Sequence, residues 1–200
     1  MSPFVLSELM DPQKQSLYSC RRGQKIPILP EDFWHIERGV IQLQNISSNG
    51  KVTVLGWLQE GNFWAKSMTD LSTLEAIALT DCTMGQMTSE DIQSSKTLQQ
   101  QFVNQTIQKL RQTEHLLAIT GLRPIEERLV ALILLLKQEL GQTKLENTRL
   151  RCRLTHKNIA ETIGTTRVTV TRLFKEFQDK NWFFFDEDRH LIITNQFPIQ

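Results

Sequence analysis

The chain has 200 residues, 40% of them apolar, and a formal net charge of +1 at pH 7. This length allows one large or two small domains with real cores, and the composition is ordinary for a soluble protein. No run reaches the roughly 18–20 apolar residues of a membrane span, and the start MSPFVLSELM lacks a secretory signal. We therefore expect a cytoplasmic protein with no membrane partner.

The number of cysteines excludes one kind of cofactor, and the charge distribution indicates where a polyanion would bind. Cys20, Cys82 and Cys152 are far apart, which fits a reducing compartment, and three thiolates cannot supply a four-cysteine iron–sulfur cluster. Residues 1–122 contain 10 Lys/Arg and 12 Asp/Glu, whereas residues 123–200 contain 13 and 10. Any contact with a polyanion is therefore expected in the second half.

Short β-prone segments separated by turn residues occupy residues 21–88. The segments are 33–36, 40–46, 51–58 and 76–87. Ser47-Ser48-Asn49-Gly50 and Glu60-Gly61-Asn62 have the composition of tight turns. Several such strands in succession predict an antiparallel roll or barrel.

A long helix is predicted at residues 97–122, where apolar residues recur at alternating four- and three-residue steps that Glu114 interrupts. This is the spacing of a coiled-coil seam and predicts a dimer. The alternative is a single helix packed on the β-domain through Leu98, Phe102 and Leu116, and both uses can hold at once. The seam residues are Val103, Ile107, Leu110 and Leu117.

The segment Gly121-Leu122-Arg123-Pro124 is predicted to break this helix, because proline disfavours helical geometry at the residue before it. A strongly apolar helix follows at 125–140 and ends at Gly141. Its stretch 129–136 is apolar all round, which indicates a buried core helix. Residues 142–153 are predicted to form a polar loop or a short strand pair.

Residues 154–177 predict two short helices separated by Gly164. Thr155 caps the first helix, and Gly164 ends it because glycine adopts the left-handed conformation without penalty. Thr166 caps the second helix. One face of each helix is apolar, as expected of a packed helix-turn-helix. These faces comprise Ile159, Ala160 and Ile163 in the first helix and Val170, Leu173, Phe174 and Phe177 in the second.

The opposite face of the second helix is polar and cationic. It contains Arg167, Thr169, Thr171, Arg172 and Lys175. Between residues 149 and 175 there are seven Lys/Arg and one Glu, a bias typical of a phosphate-binding surface. Two further β-prone runs, 182–185 and 191–194, flank an acidic turn and predict a hairpin wing.

The segment IAETIGTTRVTVTRLFKEFQDKNWF resembles the DNA-binding signature of the CRP/FNR superfamily of bacterial transcription regulators, and TRVTVTRL is similar to the recognition helix of its nitrogen-control members. The resemblance implies an α+β protein in three parts: an effector-type, cyclic-nucleotide-binding-like β-roll over residues 1–96, a dimerisation helix over 97–122, and a winged helix-turn-helix over 123–200. It also implies a homodimer, duplex DNA as a partner, and contact with RNA polymerase.

The resemblance further implies an effector pocket on the β-roll. Cyclic-nucleotide binders carry a glutamate and an arginine that hold the ribose and phosphate, whereas this sequence has Lys66 and Ser72 there, so we do not expect cAMP binding. Of the arginine, glutamate and arginine implied for 2-oxoglutarate in nitrogen-control members, only Arg123 matches; Ser72 and Ala118 differ. The candidate pocket residues are Phe63, Trp64, Ala65, Lys66, Ser72 and Arg123.

Other cofactors and catalysis have no visible basis in the sequence. His35, His115, His156 and His190 show no ligand-like spacing for haem or a metal, and no Ser/His/Asp, HExxH or P-loop pattern occurs. Any effector is unidentified, and we do not expect an enzyme.

We expect a sequence-specific DNA-binding regulator. Arg167 and Arg172 are candidates for base or phosphate recognition, Val168 for apolar contact with a thymine methyl, and the remaining residues for positioning on the backbone. The alternative is a ligand-binding or protein-interaction module with a vestigial winged helix. The positioning residues are Thr155, His156, Thr166, Thr169 and Lys175.

Overall fold

The computed structural model describes residues 17–27 and 33–198, which form two compact units. The described residues of the first unit are 17–27, 33–50 and 55–111, and those of the second unit are 51–54 and 112–198. The N-terminal stretch MSPFVLSELM lies outside the described residues.

Eight described strands form two four-stranded antiparallel sheets. One sheet has the order β1-β8-β3-β6 and the other the order β2-β7-β4-β5. The strands are β1 (Leu17–Cys20), β2 (Lys25–Ile26), β3 (Phe33–Arg38), β4 (Val40–Ile46), β5 (Val52–Gln59), β6 (Phe63–Ala65), β7 (Leu74–Ala78) and β8 (Cys82–Met87).

The two sheets share one apolar core, because alternate residues of each strand point inward. Trp34, Ile36 and Trp64 come from one sheet, and Ile41 and Leu43 from the other. The sheets therefore form the antiparallel roll that the sequence predicts.

The predicted segment 76–87 is wrong in one respect, because it forms two strands that belong to different sheets. The chain turns between them at Thr80 and Asp81, whose side chains accept hydrogen bonds from the backbone N–H groups of Val40 at 2.9 Å and Arg22 at 2.8 Å. These distant partners are not visible in the local sequence. The short strands β1, β2 and β6 also lack a clear sequence pattern.

Two helices follow the roll, α1 (Ser89–Ser94) and α2 (Lys96–Gly121). The start of α2 packs on the outer side of the first sheet, where Leu98 joins a buried cluster with Phe63, Met87 and Ile92. The Phe102 ring lies 6.2 Å from that of Phe63. The packing role that the sequence offered for Leu98 and Phe102 is therefore confirmed.

After the end of α2, whose residues from 112 onward belong to it, the second unit continues with three helices and a four-stranded sheet of order β11-β12-β10-β9. Helix α3 begins directly after Pro124 and ends at Leu140, as predicted, and Leu129, Leu132 and Ile133 have 0% exposure. Its elements are α3 (Ile125–Leu140), β9 (Gly141–Lys144), β10 (Asn147–Leu150), α4 (His156–Ile163), α5 (Arg167–Asp179), β11 (Phe183–Phe185) and β12 (Leu191–Ile193).

The predicted hairpin wing is present as β11 and β12, and it extends a sheet that already contains the β9–β10 hairpin. Residues 142–153 thus contribute a strand pair rather than a loop. The mixed α+β class, with an antiparallel N-terminal domain and a C-terminal helix-turn-helix, is confirmed.

Candidate nucleic-acid interface

Helices α4 and α5 form the helix-turn-helix, and each begins at a threonine cap. The Thr155 hydroxyl accepts from the N–H of Asn158, whose side chain accepts in return from the Thr155 N–H at 3.0 Å. The Thr166 hydroxyl accepts from the N–H of Thr169 at 3.1 Å. Gly164 has φ 68° and ψ 44°, the left-handed conformation that ends α4. Local chemistry therefore fixes where each helix starts and where the first ends.

The apolar faces of α4 and α5 are buried as predicted. Val170 and Phe177 have 0% exposure, and the ring of Phe174 lies 4.7 Å from that of Phe183 on β11. Burying a large apolar side chain contributes about 1.5–3 kcal/mol to stability. This packing holds α5 by one side and leaves its opposite side in solvent.

The solvent side of α5 presents five side chains within about three turns of helix. Val168 is 78% exposed although it is apolar, and the Arg172 side chain is 63% exposed. Thr169 is half-buried and lies beside this face. A capped helix with an exposed cationic and apolar face matches the shape and chemistry of a major groove. The five exposed residues are Arg167, Val168, Thr171, Arg172 and Lys175.

A hydrogen bond between the helices fixes the rotamer of Thr171. Its hydroxyl donates to the carbonyl oxygen of Arg167 at 2.9 Å, so the neighbouring His156 Nδ1, 2.8 Å away, must donate to the same hydroxyl. Burial, and then the positive charge of Arg167, lower the pKa of His156, which favours the neutral ring. His156 therefore links the N-terminus of α4 to the middle of the exposed face of α5.

The two cap threonines use their hydroxyls within the protein. Thr155 also donates to the Asn158 side chain at 2.6 Å, and the hydroxyls of Thr166 and Thr169 lie 2.9 Å apart. These residues shape the helix N-termini, whose free N–H groups are suited to bind phosphate. The sequence indicated the caps but not the partner Asn158.

At least three of the seven cations between residues 149 and 175 are paired with carboxylates. Arg149 Nε lies 2.7 Å from Asp186, Lys157 Nζ lies 3.6 Å from Glu161, and Arg172 contacts Glu176. The charge bias therefore overstates the positive charge available to a polyanion. The two pairs at i,i+4 spacing could be read from the sequence, but the Arg149 pair joins residues far apart.

The turn of the wing is acidic and is fastened to β10. Arg149 reaches both Asp186 and Asp188, at 2.7 and 3.3 Å. Burial by itself would raise the pKa of Asp186, but hydrogen bonds from Arg149 and from the His190 N–H outweigh burial and lower it. The exposed residues of this turn are Glu187, Asp188 and Arg189, so it carries both signs of charge.

The candidate effector residues of the first unit are largely built into its cores. Trp64 lies in the core of the roll, and Phe63 lies in the cluster beneath α2. Ala65 is buried, whereas Ser72 is exposed. Lys66 Nζ donates to the carbonyl oxygen of Leu71 at 2.7 Å, so its charge is directed at its own loop. Arg123 is exposed and belongs to the second unit.

The four seam residues of α2 are exposed apolar side chains. Val103, Ile107, Leu110 and Leu117 are 50%, 44%, 59% and 72% exposed. Leu98, Leu116 and Ile119, on the other side of the same helix, are at most 5% exposed. An isolated chain would thus leave an apolar stripe in water.

Among residues 17–27 and 33–198, no three His, Cys, Asp or Glu side chains form a group that could hold a metal ion. Within the same ranges, no helix has the length and apolar character required to cross a lipid bilayer.

Residues 127–196 match the family model of the Crp-like helix-turn-helix domain. The regulatory protein CysR of Synechococcus elongatus is 31% identical over 185 residues, which cover 91% of this chain and 85% of that protein. The global nitrogen regulator of Synechocystis is 37% identical over 73 residues, covering 36% of this chain and 32% of that protein.

Solved structures agree with the fold. FixK2 of Bradyrhizobium japonicum superposes with a TM-score of 0.74 at 17% identity, covering 91% of this chain and 93% of that one. A cyclic nucleotide-binding domain containing protein of Listeria monocytogenes has a TM-score of 0.80 at 12% identity and covers 96% of both chains. The chain belongs to the CRP/FNR family of transcription regulators and carries their helix-turn-helix DNA-binding domain.

Proposed function

We propose that the protein acts in the cytoplasm as a homodimer that binds palindromic duplex DNA, with α5 of each protomer in the major groove of one half-site. The exposed face of α5 carries this proposal. It combines cationic and apolar side chains on a helix whose position is fixed by the Thr166 cap and a buried opposite face.

The groove chemistry follows from the side chains. Arg167 can form paired hydrogen bonds with guanine O6 and N7, and Val168 can contact the methyl group of a thymine. Arg172 and Lys175 can reach bases or phosphates further along the helix. By resemblance to nitrogen-control regulators, the half-site is expected to be GTA-like. The helix N-termini at Thr155 and Thr166 would position the protein on the phosphates.

Dimerisation would proceed through the seam of α2. Pairing two copies would cover the exposed side chains of Val103, Ile107, Leu110 and Leu117. A two-fold axis would also present two recognition helices to major grooves about 34–36 Å apart. Glu114 faces this seam in the sequence pattern and would weaken it locally.

The regulator is proposed to act without a cyclic nucleotide. The roll lacks the arginine and glutamate that would hold the phosphate and ribose, and the Trp64 side chain occupies its core. An effector of another class would act through Lys66, Ser72 or Arg123.

Contact with RNA polymerase is proposed at the β9–β10 hairpin. Leu145 at its tip is 92% exposed and has φ 56°, an unfavourable conformation for leucine. An apolar side chain held in water on a strained turn gains from being covered by a protein partner.

The test is selection of binding sites from a library of random duplexes with the full-length protein. We expect an enriched palindrome with two half-sites one helical turn apart, bound at least about 1000-fold more tightly than random duplex. A vestigial winged helix, the alternative, would yield weak binding without an enriched sequence. Enrichment of a single half-site would contradict the dimeric mode of binding.

A further inference from the structure

Two cysteines face each other across neighbouring strands of the first unit. Strands β1 and β8 are antiparallel, and their register places Cys20 directly opposite Cys82. Opposed residues of such a pair have Cα atoms about 4.5–5.5 Å apart. Disulfides span about 4.4–6.8 Å between Cα atoms. Both cysteines are reduced here.

The pair lies at an open cleft. Cys20 and Cys82 are only 5% and 3% exposed, but both line a cavity of about 470 Å³ that opens to solvent. Arg38 also lines it, next to a shift in the β3–β8 register between Ile36 and Arg38. Such irregularities redirect side chains. Both cysteines therefore form part of the wall that a small molecule in the cleft would meet.

The charge of the cleft favours an anion. Arg21 and Arg38 contribute two guanidinium groups, and Asp81 contributes one carboxylate. That carboxylate already accepts a hydrogen bond from the N–H of Arg22 at 2.8 Å. The net charge of these three side chains is positive, so a carboxylate-bearing ligand is preferred over a neutral or cationic one.

The two thiols differ in their surroundings. Burial, and then the nearby Cys82, raise the pKa of Cys20 to about 11. Burial also raises the pKa of Cys82, but the Thr80 hydroxyl, 3.8 Å from the Cys82 sulfur, opposes that rise. Cys82 is therefore the thiol that loses its proton more readily.

We propose that Cys20 and Cys82 form a site of thiol–disulfide exchange with a small anionic disulfide that Arg21 and Arg38 hold. The Cys82 thiolate attacks one sulfur of the small disulfide, whose S–S bond breaks and releases one thiol after proton uptake. Cys20 then loses its proton and attacks the Cys82 sulfur, which releases the second small thiol. The two protein thiols are oxidised to one disulfide and the small disulfide is reduced to two thiols.

The first experiment treats the reduced full-length protein with oxidised glutathione and maps cysteines by mass spectrometry. We expect a Cys20–Cys82 cross-link, while Cys152, which is 0% exposed in the second unit, stays reduced. Cys20→Ser should stop at a glutathione adduct on Cys82, and Cys82→Ser should lose both products. No cross-link in the folded protein, or equally fast modification of Cys152, would overturn the proposal.

The second experiment tests the arginines. We expect the wild-type dithiol to react about tenfold faster with oxidised glutathione than with the neutral 2-hydroxyethyl disulfide. Arg38→Gln should remove most of this preference, whereas Arg22→Gln, the same charge change beside the cleft, should keep it. Equal rates for the two disulfides, or an unchanged preference in Arg38→Gln, would contradict the anionic ligand. Thermal unfolding of each variant checks that it is folded. Cys20→Ala is used instead of Cys20→Ser if the buried hydroxyl prevents folding.

Discussion

Arg167 and Lys175 lie on the same exposed face of α5 but are expected to contribute to DNA binding in different ways. We predict that Arg167→Ala costs about 1–3 kcal/mol on the selected duplex and relaxes the preference at one base position. Lys175→Ala should weaken all duplexes alike and reduce the salt dependence by about one phosphate. Titrations on selected and random duplexes at several salt concentrations separate the two. Equal losses for Arg167→Ala on both duplexes would contradict base recognition.

Val168 offers a test of apolar readout, because it is 78% exposed and has no polar group. Replacing the contacted thymine by uracil removes only a methyl group, and we expect a loss of about 1 kcal/mol for the wild type. Val168→Ser should be insensitive to that replacement, whereas Val168→Thr, which keeps one methyl, should respond partly. Each thymine of the half-site is replaced in turn. A wild type indifferent to every replacement would exclude this contact.

His35 provides a prediction about pH in the first unit. It is 4% exposed, and burial lowers its pKa, although Glu37, 2.9 Å away, acts in the opposite direction. In the unfolded chain histidine has a pKa of about 6.5, so His35 binds a proton more readily there than in the folded protein. Neutral His35 therefore makes its full contribution to the free energy of unfolding above about pH 6.5. That contribution is lost as the pH falls through the lower pKa that His35 has in the folded protein. His35→Gln should flatten the decline in unfolding free energy below about pH 6.5.

The measurement needs a signal from the first unit alone. Trp34, Trp57 and Trp64 belong to it, whereas Trp182 belongs to the second, so fluorescence is followed in a Trp182→Phe background. If His35→Gln declined as steeply as its parent, another group would have to be responsible.

At the residue scale, the caps could be predicted because their partners lie three residues away. Thr155, Gly164 and Thr166 act as the sequence indicates. The pairing of Arg149 with Asp186 could not be predicted, because it depends on how the wing folds back on β10. The hydrogen bond between His156 and Thr171 likewise requires the angle between two helices.

At the scale of one element, helix α2 provides a test of dimerisation. Ile107→Glu places a charge in the apolar stripe and should shift the protein from dimer to monomer, since two buried carboxylates would face each other without partners. Gln108→Glu, an exposed neighbour outside the stripe, should leave the dimer intact. Sedimentation equilibrium over a range of concentrations distinguishes the two. An unchanged dimer in Ile107→Glu would place the interface elsewhere.

The sequence could locate the elements whose ends are marked by proline or glycine. Helix α3 has the predicted bounds, because Pro124 precedes it and Gly141 follows it, and α2 differs from its predicted range by one residue at each end. The strands were harder, because β7 and β8 are separated by a turn whose side-chain partners are distant in sequence. A strand of two residues such as β2 is defined by its pairing with β7, not by its composition.

For the molecule as a whole, the sequence located the helix-turn-helix better than any pocket in the roll. The helix-turn-helix is a local pattern with a charged face, so its residues could be named in advance. A pocket or cleft in the roll is formed by strands distant in sequence. The facing cysteines illustrate this, since Cys20 and Cys82 are brought together only by the register of β1 and β8.

The positive φ of Leu145 links folding to the proposed contact with RNA polymerase. Asparagine tolerates a positive φ better than leucine, so Leu145→Asn should gain about 1 kcal/mol and raise the melting temperature by a few degrees. The same variant should bind promoter DNA normally but give fewer transcripts with purified RNA polymerase. A higher melting temperature together with a lower transcript yield would show that the leucine at the hairpin tip serves a protein partner at the expense of stability. Unaltered transcript yield would mean that the leucine serves no such partner.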